Sequence, residues 1–118
     1  PGEYVFCQGD FGEYLYVIAE GNVSLERSMD LGTRRGSAVI GLLGKGRVMG
    51  CWSTLLGQPH TLMSSAVCRK PTTVVSIKGT ELREIMVGNH KMGFRMMESL
   101  CFLLRDRLHG ALGAMENI

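Results

Sequence analysis

From Pro1 to about Ile77 a turn signal recurs about every 8–12 residues, which leaves no room for long helices between strands. The signals are Gly9-Asp10, Glu20-Gly21-Asn22, Leu31-Gly32, Gly44-Lys45-Gly46, Gly57-Gln58-Pro59 and Lys70-Pro71. Between them lie short β-branched or aromatic runs: Tyr4-Val5-Phe6, Leu15 to Ile18, Val23-Ser24-Leu25, Val39 to Leu43, and Val74 to Ile77. A parallel sheet needs crossover helices between such runs, so this rhythm predicts a sandwich, jelly roll or barrel of antiparallel strands. Glycine supports it: 16 of 118 residues, without a G-X-Y period and with only 3 prolines, read as many tight turns. Gly21 is the expected hairpin turn, and one short helix is expected around Trp52–Leu56.

After Lys78 the period changes. Thr80 is expected to cap a short helix over 81–87, which Gly88-Asn89 ends. A second helix then runs from about Lys91 toward the C-terminus. In it Met97, Cys101, Leu104, Leu108, Ala111, Met115 and Ile118 recur at spacings 4, 3, 4, 3, 4, 3, with Leu100, Leu103 and Leu112 widening the stripe. That seam predicts a parallel homodimer through residues 97–118. Gly110 and Gly113 each weaken the helix by about 1 kcal/mol against alanine. The whole reads as one domain, a β core over 1–78 followed by a helical segment over 79–118.

The net charge of +2 hides a partition. Residues 1–30 hold six carboxylates against Arg27 alone, whereas residues 31–80 hold seven cations and no carboxylate. Two readings follow. Acidic and basic strands can face each other in one sheet, or the middle segment can offer an anion a place without competing negative charge. Cys7, Cys51, Cys68 and Cys101 show no C-x-x-C, and His60, His90 and His109 are equally scattered, so no metal site is expected. No H-E-x-x-H or G-x-S-x-G motif suggests an enzyme. Widely spaced cysteines in apolar surroundings suggest reduced thiols and a cytoplasmic protein. No stretch approaches the roughly 18 apolar residues of a membrane span. The opening at Pro1 rather than Met suggests a piece of a longer chain.

The run Pro1-Gly2-Glu3 to Gly9-Asp10, followed by Tyr14 to Ile18 and Glu20-Gly21-Asn22-Val23, resembles the cyclic-nucleotide-binding domain. That family writes P-G-E…G-D and then a paired "lYyI…G.V". Gly46-Arg47-Val48-Met49-Gly50 is similar to its "G-x-x-F-G-E", and Gly57-Gln58-Pro59-His60-Thr61 to its "G-x-P-R-[ST]". Thr72 to Ile77 and the helices beyond resemble the end of the domain. The resemblance implies a jelly-roll β-barrel of the cyclic-nucleotide-binding type with C-terminal helices, the last of them dimerising.

It also implies a phosphate-binding cassette, and so a candidate site: Gly50, Cys51, Trp52, Ser53, His60, Thr61 and Arg107. Cys51 stands where the family has a glutamate for the ribose hydroxyl, and His60 where it has the arginine for the cyclic phosphate. A thiol is no ionised acceptor, and a neutral imidazole lacks the guanidinium fork. Each loss costs roughly 1.5–3 kcal/mol, so affinity by the usual contacts should fall by about two to four decades. The segment Cys51-Trp52-Ser53-Thr54-Leu55 is similar to a "G-W-S-x-L" stretch in some regulators of the superfamily. Trp52 there either stacks on a planar ligand or plugs the pocket. Arg107 matches a position from which the family sometimes reaches its ligand; the other reading of Arg107 is a solvated charge beside Asp106 on the helix surface.

The expected function is a non-enzymatic regulatory domain, with cyclic AMP, cyclic GMP or another small anion held atypically, or with its ligand lost. One alternative is the sensor half of a transcription regulator. Since this chain has no helix-turn-helix, no nucleic-acid contact of its own is expected. Another is a thiol redox sensor in which a basic neighbourhood lowers the Cys51 pKa. A cupin-type enzyme would need clustered His and Glu ligands, which the sequence lacks.

Overall fold

Period-2 alternation in the strands decides which side chains face which core. The computed structural model describes residues 2–30, 32 and 35–115. Its strands are β1 (Tyr4–Phe6), β2 (Phe11–Gly12), β3 (Tyr14–Glu20), β4 (Val23–Asp30), β5 (Arg35–Leu43), β6 (Val48–Met49), β7 (His60–Thr61), β8 (Ser65–Cys68) and β9 (Thr73–Lys78). Helix α1 (Trp52–Leu56) interrupts them, and α2 (Gly79–Gly88) and α3 (His90–Met115) follow. The sheets run β1-β8-β4-β5, β2-β7 and β6-β3-β9. Every strand pairing among the described residues is antiparallel, as the turn rhythm predicts.

Strand β3 divides the interior. Tyr16 and Ile18 face a core inside the roll, with Phe6, Val23, Leu25, Met49 and Ala66. Leu15 and Val17 point the other way, into a second core with Cys51, Leu82, Met86 and Leu100. The middle sheet is therefore apolar on both faces, and the helices cover the outer one. At the β3–β4 hairpin Gly21 has φ +111°, and a Cβ there would lie 2.6 Å from the Thr72 Cα. Only glycine meets both demands.

The helices correct two expectations. Helix α2 begins at Gly79 with Lys78 in the cap position and no side-chain capping bond, so Thr80 is already inside the helix. Its end is as expected: the Asn89 N–H donates to the carbonyls of Ile85 and Met86. Asn89 Oδ1 then accepts from the Met92 N–H at 3.2 Å and opens α3. A Cβ on Gly93 would stand 2.3 Å from the Met86 carbonyl oxygen, so the two helix backbones cross in close contact there.

The expected seam is split. Met97 and Leu104 turn inward and pack on the second core beside Leu100. Cys101 and Leu108 are exposed. The outward apolar stripe is instead Phe94, Cys101, Leu108 and Leu112, spaced by 7, 7 and 4 residues. The side chains of Ala111 and Met115, and Ile118 altogether, lie outside the described residues.

Candidate functional site

The chain turns from β6 into α1 at Gly50, with φ +74° and no room for a Cβ, which would lie 2.7 Å from the Tyr14 carbonyl oxygen. Cys51 follows in the cap position of α1, and its carbonyl accepts the N–H groups of Thr54 and Leu55. Its side chain is 2% exposed. Burial pushes the thiol pKa up, and the nearby Arg107 charge offsets only part of this. The lowered pKa expected for a redox cysteine is thus reversed, because the second core surrounds the sulfur. Alkylation of the folded protein should consume the exposed Cys7 first, Cys68 later, and Cys51 only on unfolding. Labelling of Cys51 as fast as Cys7 would restore it as a reactive thiol.

Trp52 is half-buried, with its ring centroid 5.9 Å from that of His60 and the planes tilted by 47°. Ser53 faces away from both. Its hydroxyl donates to the Glu13 carbonyl, and it sits so close to Gly79 that a Cβ there would meet Ser53 Oγ at 1.9 Å. Ser53 is a packing residue between α1 and α2, contrary to its expected place in the cassette. Arg83 of α2 donates to the carbonyls of Thr54 and Leu55 and closes the C-terminal end of α1. Thr61 is exposed on β7, opposite Phe11.

A cavity of about 490 Å³ lies between the roll, α1 and α3, within the size range of small-molecule sites. Gly50, Cys51, Trp52 and Arg107 line it together; Ser53, His60 and Thr61 do not. Arg107 reaches across from α3 and donates from Nη2 to the Val48 carbonyl. Burial pulls its guanidinium below the ordinary pKa, the Cys51 thiol opposing this shift and the Arg47 charge adding to it. The expectation of a solvated Arg107–Asp106 neighbourhood does not hold, since Asp106 pairs with Arg105 at 3.0 Å.

Among the lining residues that the sequence reading did not name, one is charged. Arg27 on β4 enters the cavity wall and donates to the Met63 carbonyl. Its only sequence signal was being the lone cation of residues 1–30. The acidic first segment does meet the basic middle one, through Glu20–Lys45 at 3.7 Å and Glu26–Arg69 at 4.0 Å. Among the described residues Arg27 and Arg107 form no such pair.

A second hollow of about 550 Å³ lies between β3 and the helices, with Lys91 and Arg95 at its edge, and holds none of the expected site residues. Among the described residues no group of His, Cys, Asp or Glu could hold a metal ion.

The profile of the cyclic nucleotide-binding domain matches residues 1–89. No curated protein matches the chain. Among solved structures, the c-di-GMP responsive global regulator CLP of Xanthomonas campestris is 21% identical, with a TM-score of 0.78 over 94% of this chain and 52% of that one. The catabolite activator protein of Thermus thermophilus is 28% identical, with a TM-score of 0.69 over 89% of this chain and 47% of that one. A cyclic nucleotide-binding domain from Methylobacillus flagellatus is 23% identical, with a TM-score of 0.78 over 93% and 59%. The chain spans about half the length of these structures. With the turn at Gly50, the short helix after it and the long helix closing the cavity, the domain match places this chain in the cyclic nucleotide-binding domain family.

Proposed function

We propose that the chain is a non-catalytic sensor domain whose cavity takes an anionic ligand of cyclic-nucleotide type and whose α3 joins two copies. Arg107 carries this reading. It is a largely desolvated guanidinium, without a carboxylate partner among the described residues, and it joins α3 to the strand leading into the cassette. Burying such a group is costly unless an anion meets it. His60 does not line the cavity, so Arg107 takes the phosphate-neutralising part from the opposite wall. Trp52 offers a ring face to a planar base. The outward stripe on α3 is the face of the homodimer, and free cysteines suit a cytoplasmic setting. Among the described residues no helix is long and apolar enough to cross a membrane. The likeness to transcription regulators over half their length favours a second reading, the sensor half of such a regulator.

Calorimetric titration with cyclic AMP and cyclic GMP tests the site. Binding is expected in the micromolar range or weaker, reduced about tenfold or more by Arg107→Gln, as befits one charge-assisted contact. Sub-micromolar binding untouched by Arg107→Gln would put the ligand elsewhere.

A further inference from the structure

The second hollow, about 550 Å³ between β3 and the helices, takes no part in the proposed reading. Its wall is aliphatic, with Leu15 and Val17 from β3, Ile77 from β9, and Met92, Met96 and Leu100 from α3. The last three stand four residues apart on one helix face and form an apolar rail about 12 Å long. No aromatic ring lines the hollow, so nothing there stacks on a base. Methionine side chains are flexible and adapt to an occupant without a fixed shape.

Charge stands along the first half of this rail. Lys91 and Arg95 are exposed there, one helical turn apart, with Cβ atoms about 5–6 Å from each other by helix geometry. No Asp or Glu lines the hollow, and neither cation forms an ion pair among the described residues. Both keep their water at the rim, so they add little energy and mainly select the sign of the charge accepted. The apolar wall supplies the rest. A flexible aliphatic tail ending in one anionic head matches both halves.

We infer that this hollow binds a single-chain aliphatic carboxylate, a free medium-chain fatty acid, with its head at Lys91 and Arg95 and its tail along Met92, Met96 and Leu100. The two hollows share no lining residue, so this site does not rest on the sensor reading.

The test is calorimetry on the whole chain with hexanoate, octanoate, decanoate and decylammonium. Each added pair of methylenes should tighten carboxylate binding about tenfold. Decanoate should bind about tenfold more tightly than decylammonium, which has the same tail and the opposite charge. A protein carrying both Lys91→Glu and Arg95→Glu should reverse that order, and Arg107→Gln should leave decanoate binding unchanged. Both replaced cations are exposed, and circular dichroism confirms that the variants are folded. Affinity that ignores tail length, a charge preference that survives the double reversal, or no binding of decanoate at millimolar concentration overturns the site. Loss of decanoate binding in Arg107→Gln puts the carboxylate in the other cavity and overturns it too. Sedimentation velocity covers the remaining occupant: decanoate that splits a dimer would assign the hollow to a second copy of the chain, against the proposal.

Discussion

Leu108→Asp is expected to turn a dimer into a monomer, weakening association by about a hundredfold or more while the β roll stays folded. Leu108 is 58% exposed on the outward stripe of α3, so an aspartate there remains hydrated in a single copy. In a parallel pair of α3 helices the same position would face its twin. Each buried leucine contributes roughly 1.5–3 kcal/mol, and its replacement would add two unpaired buried carboxylates. Leu108 also borders the ligand cavity. Cys101→Asp, one heptad earlier and away from that cavity, should dissociate the dimer without touching the site. Sedimentation velocity at several concentrations reads both variants. An unmodified protein that is monomeric at about tens of micromolar would mean that α3 packs only on its own roll.

Gly93→Ala is expected to destabilise the domain by about 1–3 kcal/mol, although alanine is the better helix former by about 1 kcal/mol. The new methyl would lie 2.3 Å from the Met86 carbonyl oxygen and 2.9 Å from its carbon. Backbone atoms at a helix crossing cannot step aside as a flexible side chain can, so α2 and α3 must separate. Gly88, the last residue of α2, is the control, since a Cβ there meets nothing within 4 Å. Gly88→Ala should leave the thermal midpoint unchanged or raise it. A Gly93→Ala protein as stable as Gly88→Ala would show that the crossing is looser than described.

What could be read from the sequence was what neighbours along the chain decide. The hairpin at Gly21, the helix at Trp52–Leu56 and the stop at Gly88-Asn89 depend on residues within one turn of each other. Strands β2, β6 and β7 are two residues long and too short for any period to show. On α3 the apolar residues cover more than one stripe, and only the roll's position decides that Met97 and Leu104 turn inward while Leu108 does not. The site divides the same way. Gly50, Cys51 and Trp52 are consecutive and share the cavity. Arg27 joins them from β4 through the curl of the first sheet, which no local pattern announces. For the Cys51 thiol the basic neighbours in sequence matter less than the apolar second core around it.

Helix α1 is fastened at both ends to α2, by Ser53 pressed on Gly79 and by Arg83 bonded to the carbonyls of Thr54 and Leu55. It therefore has little play of its own, and a push on Trp52 is delivered to α2 as a whole. Helix α2 is 10 residues long, an arm of about 15 Å whose far end is Asn89, the cap of α3. The Gly93–Met86 contact leaves no slack between α2 and α3. Any shift of α1 would therefore reach α3 through one short rod and not through the cavity wall.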